Sequence, residues 1–219
     1  MRELHFFDPH DSISIVERRL PHWSQAGVLC FITFRTHDSL SVETVERFHA
    51  DRKSWLLEHG LDPQSRHWRS NLRNLSQREQ REFYGTFSTR WHDDLDRCEG
   101  ACVLANGNHA ETVRNSLLHF NGDRYDMIDF IIMPNHAHLL VAFLDEDAML
   151  KQCESWKHYT AHLINQAHGT SGRFWQQDGF DHLVRSPQQF EHFRHYIADN
   201  PIKAGILVSK HAHYCCDGT

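Results

Sequence analysis

The longest apolar stretch of the chain runs from Met127 to Leu144 and limits the possible folds more than any other segment. A membrane-spanning helix needs roughly 20 consecutive apolar residues, and this stretch is interrupted too often to be one. Two strongly apolar runs, 125–133 and 137–143, include most of this stretch and are separated by Pro134-Asn135, which predicts two strands joined by a turn. The interruptions are Asp129, Asn135, His136 and His138.

The rest of the chain alternates between strand and helix patterns. A dense β-branched and aromatic run at 27–36 predicts another buried strand, and 174–185 a last short strand region. Residues 1–26 are polar and contain two prolines, which predicts irregular structure. Asn200-Pro201 predicts the end of the last helix, because the residue before a proline is disfavoured in the α region. Apolar residues at helical spacing predict helices over 41–59, 64–100 with a polar hinge near 70–76, 108–120, 147–168 and 187–199.

The order strand, helix, strand, strand, helix, strand, helix is that of two βαβ units sharing one antiparallel sheet. The predicted fold class is therefore α+β, with a ferredoxin-like split βαβ antiparallel sheet and a helix at its C-terminal end. The helical material at about 37–124 is predicted to be an insertion in the first crossover. One domain, 1–219, is expected, since domains usually contain about 100–200 residues.

Charge and cysteine content narrow the class of protein. The net charge of −6 argues against a protein that coats nucleic acid by bulk electrostatics, because such proteins are usually strongly basic. The first residues lack the basic start and apolar run of a secretory signal. The six cysteines are therefore expected to be free thiols, and the protein to be cytoplasmic and not bound to a membrane.

The chain has 20 histidines, so only a histidine in a specific pattern carries information. His136 and His138 are two residues apart on a predicted strand, and their side chains share one face at about 6–7 Å, close enough to converge on one divalent ion. Spacing alone slightly favours a pair of half-exposed histidines, and a second such pair at 211 and 213 shows how readily the pattern arises. The preceding strand and turn distinguish the first pair, because they place it on a rigid element.

The last predicted helix combines a buried stripe with a tyrosine at its edge. Phe190, Phe193 and Ile197 form the stripe, and Tyr196 lies on its flank. Asn200 is one turn later, on the same face as Tyr196. A tyrosine at the edge of a buried face is more often a packed residue with a solvated hydroxyl, and this helix alone favours that interpretation.

Three segments together resemble the HUH-class single-tyrosine transposases, and more narrowly the REP-associated tyrosine transposases of bacteria. They are IIMPNHAHLLV at 131–141, FWQQDGFDHLVR at 174–185 and YIADNPIKAG at 196–205. The match spans about 27–36 and 125–206, and the remaining segments are less specific. The resemblance implies that His136 and His138 bind a divalent metal, that Tyr196 is the nucleophile and that Asn200 completes the metal site. Mg²⁺ or Mn²⁺ is the expected ion, and Mn²⁺ suits the nitrogen ligands better.

The implied function is cleavage and strand transfer of single-stranded DNA at hairpin-forming, REP-type sequences through a transient 5′-phosphotyrosine. The alternative is a domesticated DNA-binding protein of the same fold that recognises repeat hairpins without cutting; the intact His136, His138 and Tyr196 favour the enzyme. A metallohydrolase that uses water would need a third strong ligand and a carboxylate base, which the sequence does not place. Tyr159 is a less favoured nucleophile, because nothing like YIxxNP surrounds it. The sequence leaves open a monomer or a homodimer.

Local basic segments reconcile hairpin binding with the acidic net charge. Residues 66–90 contain six arginines and two glutamates, and Arg66, Arg69 and Arg73 are predicted to share one helical face, with Trp68 near enough to stack on a base. A milder basic excess over 151–210 includes Arg185 and Lys203. A solvated helix face is the commoner explanation of such segments. They also suit a nuclease whose partner is a short stretch of single-stranded or hairpin DNA.

Three further residues are given minor roles. Asp129 and Asp181 lie beside strands of the expected site and could orient its side chains, although a solvated strand-end charge is the default for each. Tyr214 is predicted to pack against the fold. Binding of a soft metal by the histidines and cysteines around it is the less favoured interpretation.

Overall fold

The computed structural model describes residues 5–17, 21–65, 67–145, 147–177, 179–207 and 212–216. The chain divides into two compact units, one made of Met1–Ser39 with Ala101–Thr219 and the other of Leu40–Gly100. No helix within the described ranges is long and apolar enough to cross a membrane. The six cysteines all lie within these ranges and are free thiols, as predicted.

The strands of the described residues all belong to the larger unit. They are β1 (Ser14–Glu17), β2 (Pro21–Ser24), β3 (Leu29–Arg35), β4 (Tyr125–Ile132), β5 (His136–Phe143), β6 (Phe180–Leu183) and β7 (Ala212–Cys215). β1 and β2 pair as a hairpin, and the other five form one antiparallel sheet in the order β6-β3-β5-β4-β7. Together with the helices, this sheet confirms the predicted α+β class.

The helices are divided between the two units. The smaller unit contains α1 (Val42–Glu58), α2 (Trp68–Leu72) and α3 (Gln77–Asp96), and the larger unit contains α4 (Gly107–Leu118), α5 (Ala148–His168) and α6 (Pro187–Lys203). The compact helical unit is shorter than the predicted insertion at 37–124, because Val113 and Leu117 of α4 belong to the core beneath the sheet. That residues 1–219 act as one domain stays a prediction.

Two segments form strands that the sequence did not predict. Irregular structure was expected over 1–26, but β1 and β2 pair there, and His22 of β2 bonds to Asp181 of β6. β7 lies in the tail, where Tyr214 stacks on Phe130 with ring centroids 5.1 Å apart, which confirms that it packs. β7 depends on a strand that is distant in the sequence, and the local strand propensity of the short strands β1 and β2 is too weak to identify them.

The five-stranded sheet has one mainly apolar face, the core face, which packs against α4 and α5. Side chains alternate along each strand, so Ile32 of β3 and Leu139 of β5 point to the same side. The aromatic ring of Trp156 on α5 lies against this face. The buried residues on it are Cys30, Ile32, Phe34, Ala137, Leu139, Val141 and Phe143. Burial of this surface provides the main hydrophobic stabilisation of the larger unit.

The opposite face of the sheet, the α6 face, is covered by helix α6 and carries polar side chains. Phe31 of β3 stacks on Phe193 of α6, with ring centroids 4.2 Å apart and planes 6° from parallel. The residues of β3 and β5 that point to the α6 face include Phe31, Thr33, His136, His138 and Leu140. The sheet therefore separates the apolar core from the predicted histidine pair.

A β-bulge in β4 changes which face its side chains occupy. Met127 pairs with Val141 and Asp129 pairs with Leu140, so Ile128 is the extra residue. Because Val141 lies on the core face and Leu140 on the α6 face, the bulge places Asp129 on the α6 face. In a regular strand Asp129 would share the core face with Met127.

Helix α6 begins as predicted and ends later. Ser186 caps its N-terminus through its side chain, and Pro187 occupies the first turn. The helix continues past Pro201, so the predicted end at Asn200-Pro201 is wrong. Pro201 has no N–H to bond within the helix, but Pro201 and Asn200 are both buried. The amide four residues after Asn200 donates to its carbonyl at 3.0 Å, so packing and this bond hold the last turn.

The smaller unit has its own aromatic core. Phe48, Trp55, Phe83 and Phe87 are buried between α1 and α3. Both helices begin at serine caps, and Ser76 forms a capping box at the start of α3. The break between α2 and α3 matches the predicted hinge near 70–76.

Candidate functional site

His136 and His138 lie side by side on β5, on the α6 face. Both side chains are fully buried, so the alternative of two half-exposed histidines is wrong. Their ring centroids are 4.7 Å apart, and their ligand atoms lie within 4.8 Å of one another. The alternation of one buried strand thus brings two imidazoles close enough to bind the same ion.

The residue before the pair fixes the orientation of the His136 ring. An amide oxygen can only accept a hydrogen bond, so His136 Nδ1 carries the proton and donates to Asn135 Oδ1 at 2.7 Å. The Asn135 side chain is itself oriented, because its Nδ2 donates to the Ser39 carbonyl at 3.4 Å. In the neutral ring the other nitrogen, Nε2, then holds a lone pair that could bind a metal.

His138 is held in the same way by Thr33 of β3. Its Nδ1 lies 2.8 Å from Thr33 Oγ1, and its Nε2 lies 3.3 Å from the hydroxyl of Tyr196. A phenol that donates to Nε2 leaves Nδ1 as the donor toward Thr33. With the phenol as the donor, Nε2 is the lone-pair nitrogen of His138, as it is of His136. Hydrogen-bonded partners that set the tautomer in this way are typical of metal-binding histidines.

The hydroxyl of Tyr196 on α6 contacts His138, and the ring of Phe31 packs against both residues. Phe31 stacks on His138 at 5.4 Å, with planes 17° from parallel, and meets Tyr196 edge-on at 6.0 Å. The Tyr196 and His138 rings lie 5.0 Å apart. Tyr196 is therefore packed, as the helix pattern suggested, and its hydroxyl is also directed at the site.

The rival tyrosine lies on the other side of the sheet. Tyr159 belongs to α5, whose buried residues pack against the core face, and its side chain is 54% exposed. The histidines are on the α6 face. The sheet therefore lies between Tyr159 and the histidine pair.

The histidine pair fits a divalent cation by the chemistry of its donors. Two imidazole nitrogens with fixed tautomers bind transition-metal ions, and Mn²⁺ also accepts the oxygen ligands that a phosphate would supply. Asn200 is fully buried one turn after Tyr196 on α6. Its role as a further ligand stays a prediction.

The predicted arginine face of the smaller unit is only partly described. Arg66 and the side chain of Arg69 lie outside the described residues. α2 is a short helix that begins at Trp68, and Arg73 is its exposed C-cap residue. The shared face of the three arginines therefore stays a prediction. Trp68 is partly buried and packs against the core of its unit, with its ring centroid 6.2 Å from that of Phe83, and its stacking on a base stays a prediction.

The two basic residues predicted in the larger unit are exposed on α6 and just before it. Lys203 Nζ lies 5.6 Å from the centre of the Tyr196 ring. The Arg185 guanidinium lies 5.9 Å from the Phe7 ring centre, and its charge adds to burial in lowering the pKa of His182. Lys203 is thus the predicted DNA contact that the structure places beside the tyrosine.

Asp129 is buried and the side chain of Asp181 is 9% exposed, so neither is a solvated strand-end charge. Asp181 of β6 shares its face with the apolar core and pairs with His22. Asp129 of β4 lies on the α6 face, 2.9 Å from His213 Nε2.

Sequence reasoning missed three partners of the site, namely Phe31, Thr33 and Asn135. Phe31 and Thr33 are two residues apart on the strand predicted at 27–36, so they share one face. Asn135 is in the turn before the histidines. Strand alternation could have placed Phe31 and Thr33 on one face, but not opposite His138, because that requires the register between β3 and β5.

No protein-family model and no curated protein matches this chain. Among solved structures, a REP-associated tyrosine transposase bound to a REP hairpin is similar to it in fold. That protein is 15% identical, with 88% of this chain and 76% of that chain covered and a TM-score of 0.43. A likeness at this level carries nothing about chemistry, which has to be argued from the residues of this chain.

Proposed function

We propose that this protein cleaves single-stranded DNA at hairpin-forming sequences and transfers the cut strand, as the HUH-class tyrosine transposases do. The observation that carries the proposal is the Tyr196 hydroxyl, 3.3 Å from Nε2 of His138 in a fully buried histidine pair. A tyrosine that served packing alone would have no need of two histidines with fixed tautomers beside its hydroxyl.

The sheet supports the same proposal. The four strands β6-β3-β5-β4 alternate in direction, and in chain order they are the fourth, first, third and second strands of the sheet. We propose that they form the ferredoxin-like split βαβ arrangement, with α6 as the catalytic helix across one face.

His136 and His138 would hold the divalent ion through their Nε2 atoms, with Asn200 as a further ligand. When bound, the ion polarises the scissile phosphate and stabilises the negative charge that develops on its oxygens. Asn135 and Thr33 keep the two rings in the required tautomer. The hydroxyl of Tyr196 lies beside the lone pair that would bind the ion.

The covalent step uses the phenol of Tyr196. Its oxygen bonds to the phosphorus, and the bond from phosphorus to the 3′ oxygen of the preceding nucleotide breaks. The phenol loses its proton and the leaving 3′ oxygen gains one, so the products are a 5′-phosphotyrosine and a free 3′-hydroxyl. A second 3′-hydroxyl can then attack the phosphotyrosine and join the strands, which needs no ATP.

We propose that the basic side chains bind the DNA backbone. Lys203 is exposed and close to Tyr196, which suits contact with a phosphate next to the cut. Arg185 is exposed just before α6, and Arg66, Arg69 and Arg73 belong to the basic segment of the smaller unit. Because the net charge is −6, the protein can neutralise only a few phosphates through local basic side chains. A few contacts of this kind suit a short hairpin better than a long duplex.

The test is to incubate the protein with single-stranded hairpin DNA and Mn²⁺, denature it, and measure any protein–DNA adduct by mass spectrometry. We expect an adduct at Tyr196 for the unmodified protein and none for Tyr196→Phe. Tyr159→Phe is the matched control, since it removes the same oxygen on the other side of the sheet, and it should leave the adduct in place.

Two other outcomes contradict the proposal. If Tyr196→Phe still cuts DNA, the nucleophile is water or another residue. If the unmodified protein binds hairpins and never cuts any of them, it is the DNA-binding alternative. Thermal unfolding of Tyr196→Phe checks that the variant is folded, and the loss of one hydrogen bond should change its free energy of unfolding by about 0.5–1.5 kcal/mol.

A further inference from the structure

We propose that Asp129 is a positioning residue, which acts through Arg194 to fix the rotation of α6 and so the place of Tyr196. The inference rests on the proposed function, because it concerns the same tyrosine. Asp129 lies on β4 and Arg194 on α6, two residues before Tyr196. Neither residue lies in the three segments that resemble the transposases, 131–141, 174–185 and 196–205.

The bulge in β4 is the first observation behind this inference. If Ile128 were paired regularly and β4 had no bulge, the alternation of the strand would turn Asp129 toward the apolar core face. The bulge instead places the carboxylate on the face that α6 covers. Bulges commonly redirect a side chain beside a functional site.

The contacts of the carboxylate are the second observation. Asp129 Oδ1 accepts from His213 Nε2 at 2.9 Å, and Oδ2 lies 3.7 Å from Arg194 Nε. The Asp129 side chain is only 3% exposed, against 25% for Arg194 and 31% for His213. Arg194 also donates from Nη2 to Cys215 Sγ at 3.0 Å, so the guanidinium is held against both β4 and β7. A buried charge is costly unless it is paired, so the geometry that keeps Asp129 paired with Arg194 and His213 is favoured over others.

The position of Arg194 on α6 explains why this pairing would control Tyr196. Successive residues are about 100° apart around a helix, so Arg194 and Tyr196 lie on opposite flanks of the buried stripe formed by Phe190 and Ile197. Apolar contacts along the stripe resist rotation of the helix about its own axis only weakly, because they have no direction. An ion pair on one flank fixes that rotation, and with it the distance between Tyr196 and His138 on the other flank.

The test compares Asp129→Asn with Asp181→Asn. Both remove the charge of a strand carboxylate that is at most 9% exposed and pairs with a histidine, and Asp181 lies on the core face, away from α6. The two measurements are the rate of adduct formation at saturating hairpin DNA with Mn²⁺, and amide hydrogen exchange along 190–203. We expect Asp129→Asn to slow adduct formation by about 10²-fold, the typical effect of a misplacement of about 1 Å, with the dissociation constant for DNA unchanged.

Hydrogen exchange over α6 should rise in Asp129→Asn and stay unchanged in Asp181→Asn. Arg194→Lys, which keeps a charge that can reach Asp129, should recover more of the rate than Arg194→Gln, and this pair also covers the case in which Asp129→Asn does not fold. An unchanged rate, or an equal loss in Asp181→Asn, overturns the inference. If the unmodified protein forms no adduct, the proposed function fails. The comparison of hydrogen exchange then decides on the positioning role by itself. Equal exchange over α6 in Asp129→Asn and Asp181→Asn overturns that role.

Discussion

Replacement of Thr33 by valine tests how the tautomer of His138 is set. Valine has nearly the same shape and lacks the hydroxyl that lies 2.8 Å from His138 Nδ1. Both side chains are almost completely buried, so water cannot take the place of the hydroxyl. The substitution therefore removes one hydrogen bond while leaving the ring and the packing of Phe31 in place.

Two magnitudes follow from this contact. Loss of a partner for a buried polar group should lower the free energy of unfolding by about 1–3 kcal/mol. A histidine whose second nitrogen is no longer held can place its proton on Nε2, the atom that would bind the metal. Loss of such a partner typically weakens metal affinity by about 10–100-fold. We therefore expect Thr33→Val to bind Mn²⁺ at least tenfold more weakly than the unmodified protein.

The assay is calorimetric titration with Mn²⁺, together with urea unfolding, and the matched control is Thr160→Val. The Thr160 hydroxyl donates to the Trp156 carbonyl at 2.7 Å and accepts from Trp175 Nε1 at 2.8 Å, within the core on the other side of the sheet. The control should lose a similar free energy of unfolding and keep its Mn²⁺ affinity. The reasoning is refuted if Thr33→Val binds Mn²⁺ as the unmodified protein does, or if both variants weaken equally.

Three further predictions concern metal, DNA and thiols. His138→Ala should abolish Mn²⁺ binding and adduct formation while hairpin affinity in a gel-shift assay persists; joint loss of cleavage and hairpin affinity would contradict the separate roles. Arg185→Gln and Lys203→Gln should each reduce the slope of log affinity against log salt by about 1, measured by fluorescence anisotropy, whereas an unchanged slope would mean that the residue touches no phosphate. Burial raises the pKa of Cys153 to about 12, so iodoacetamide at pH 8.5 should label Cys216 and spare Cys153 until the protein unfolds. Because the folded pKa is raised, this thiol contributes stability below the unfolded pKa, and that stability is lost as the pH rises above it.

Elements with a strong local pattern could be predicted from the sequence. The apolar runs of β4 and β5 and the serine-proline start of α6 are local signals, and the structure has these elements within a residue or two of the expected positions. The same holds for the histidine pair, because two residues of one strand need no knowledge of the rest of the fold to share a face.

Contacts between distant residues could not be predicted, because they depend on the order and register of the strands. Thr33 and His138 are 105 positions apart, and no local pattern links them. β7 exists because Tyr214 and its neighbours pair with β4, and its own four residues carry little strand signal. α6 ends at Lys203 and not at Asn200-Pro201 as predicted. The burial of Pro201, a tertiary contact, outweighs the local tendency of proline to end a helix.

The position of β7 at the edge of the sheet has a consequence for synthesis of the chain. Asp129 and His213 are 84 positions apart, so β4 leaves the ribosome well before the strand that covers its outer edge. Until β7 is made, that edge offers unpaired backbone groups on a strand whose residues are nearly all buried in the finished protein. Such an edge can pair with other chains, and nascent chains are most exposed to aggregation at this stage. Aggregation during expression should therefore depend on how quickly the segment between β4 and β7 is translated, a property that changes at the histidines or Tyr196 would leave untouched.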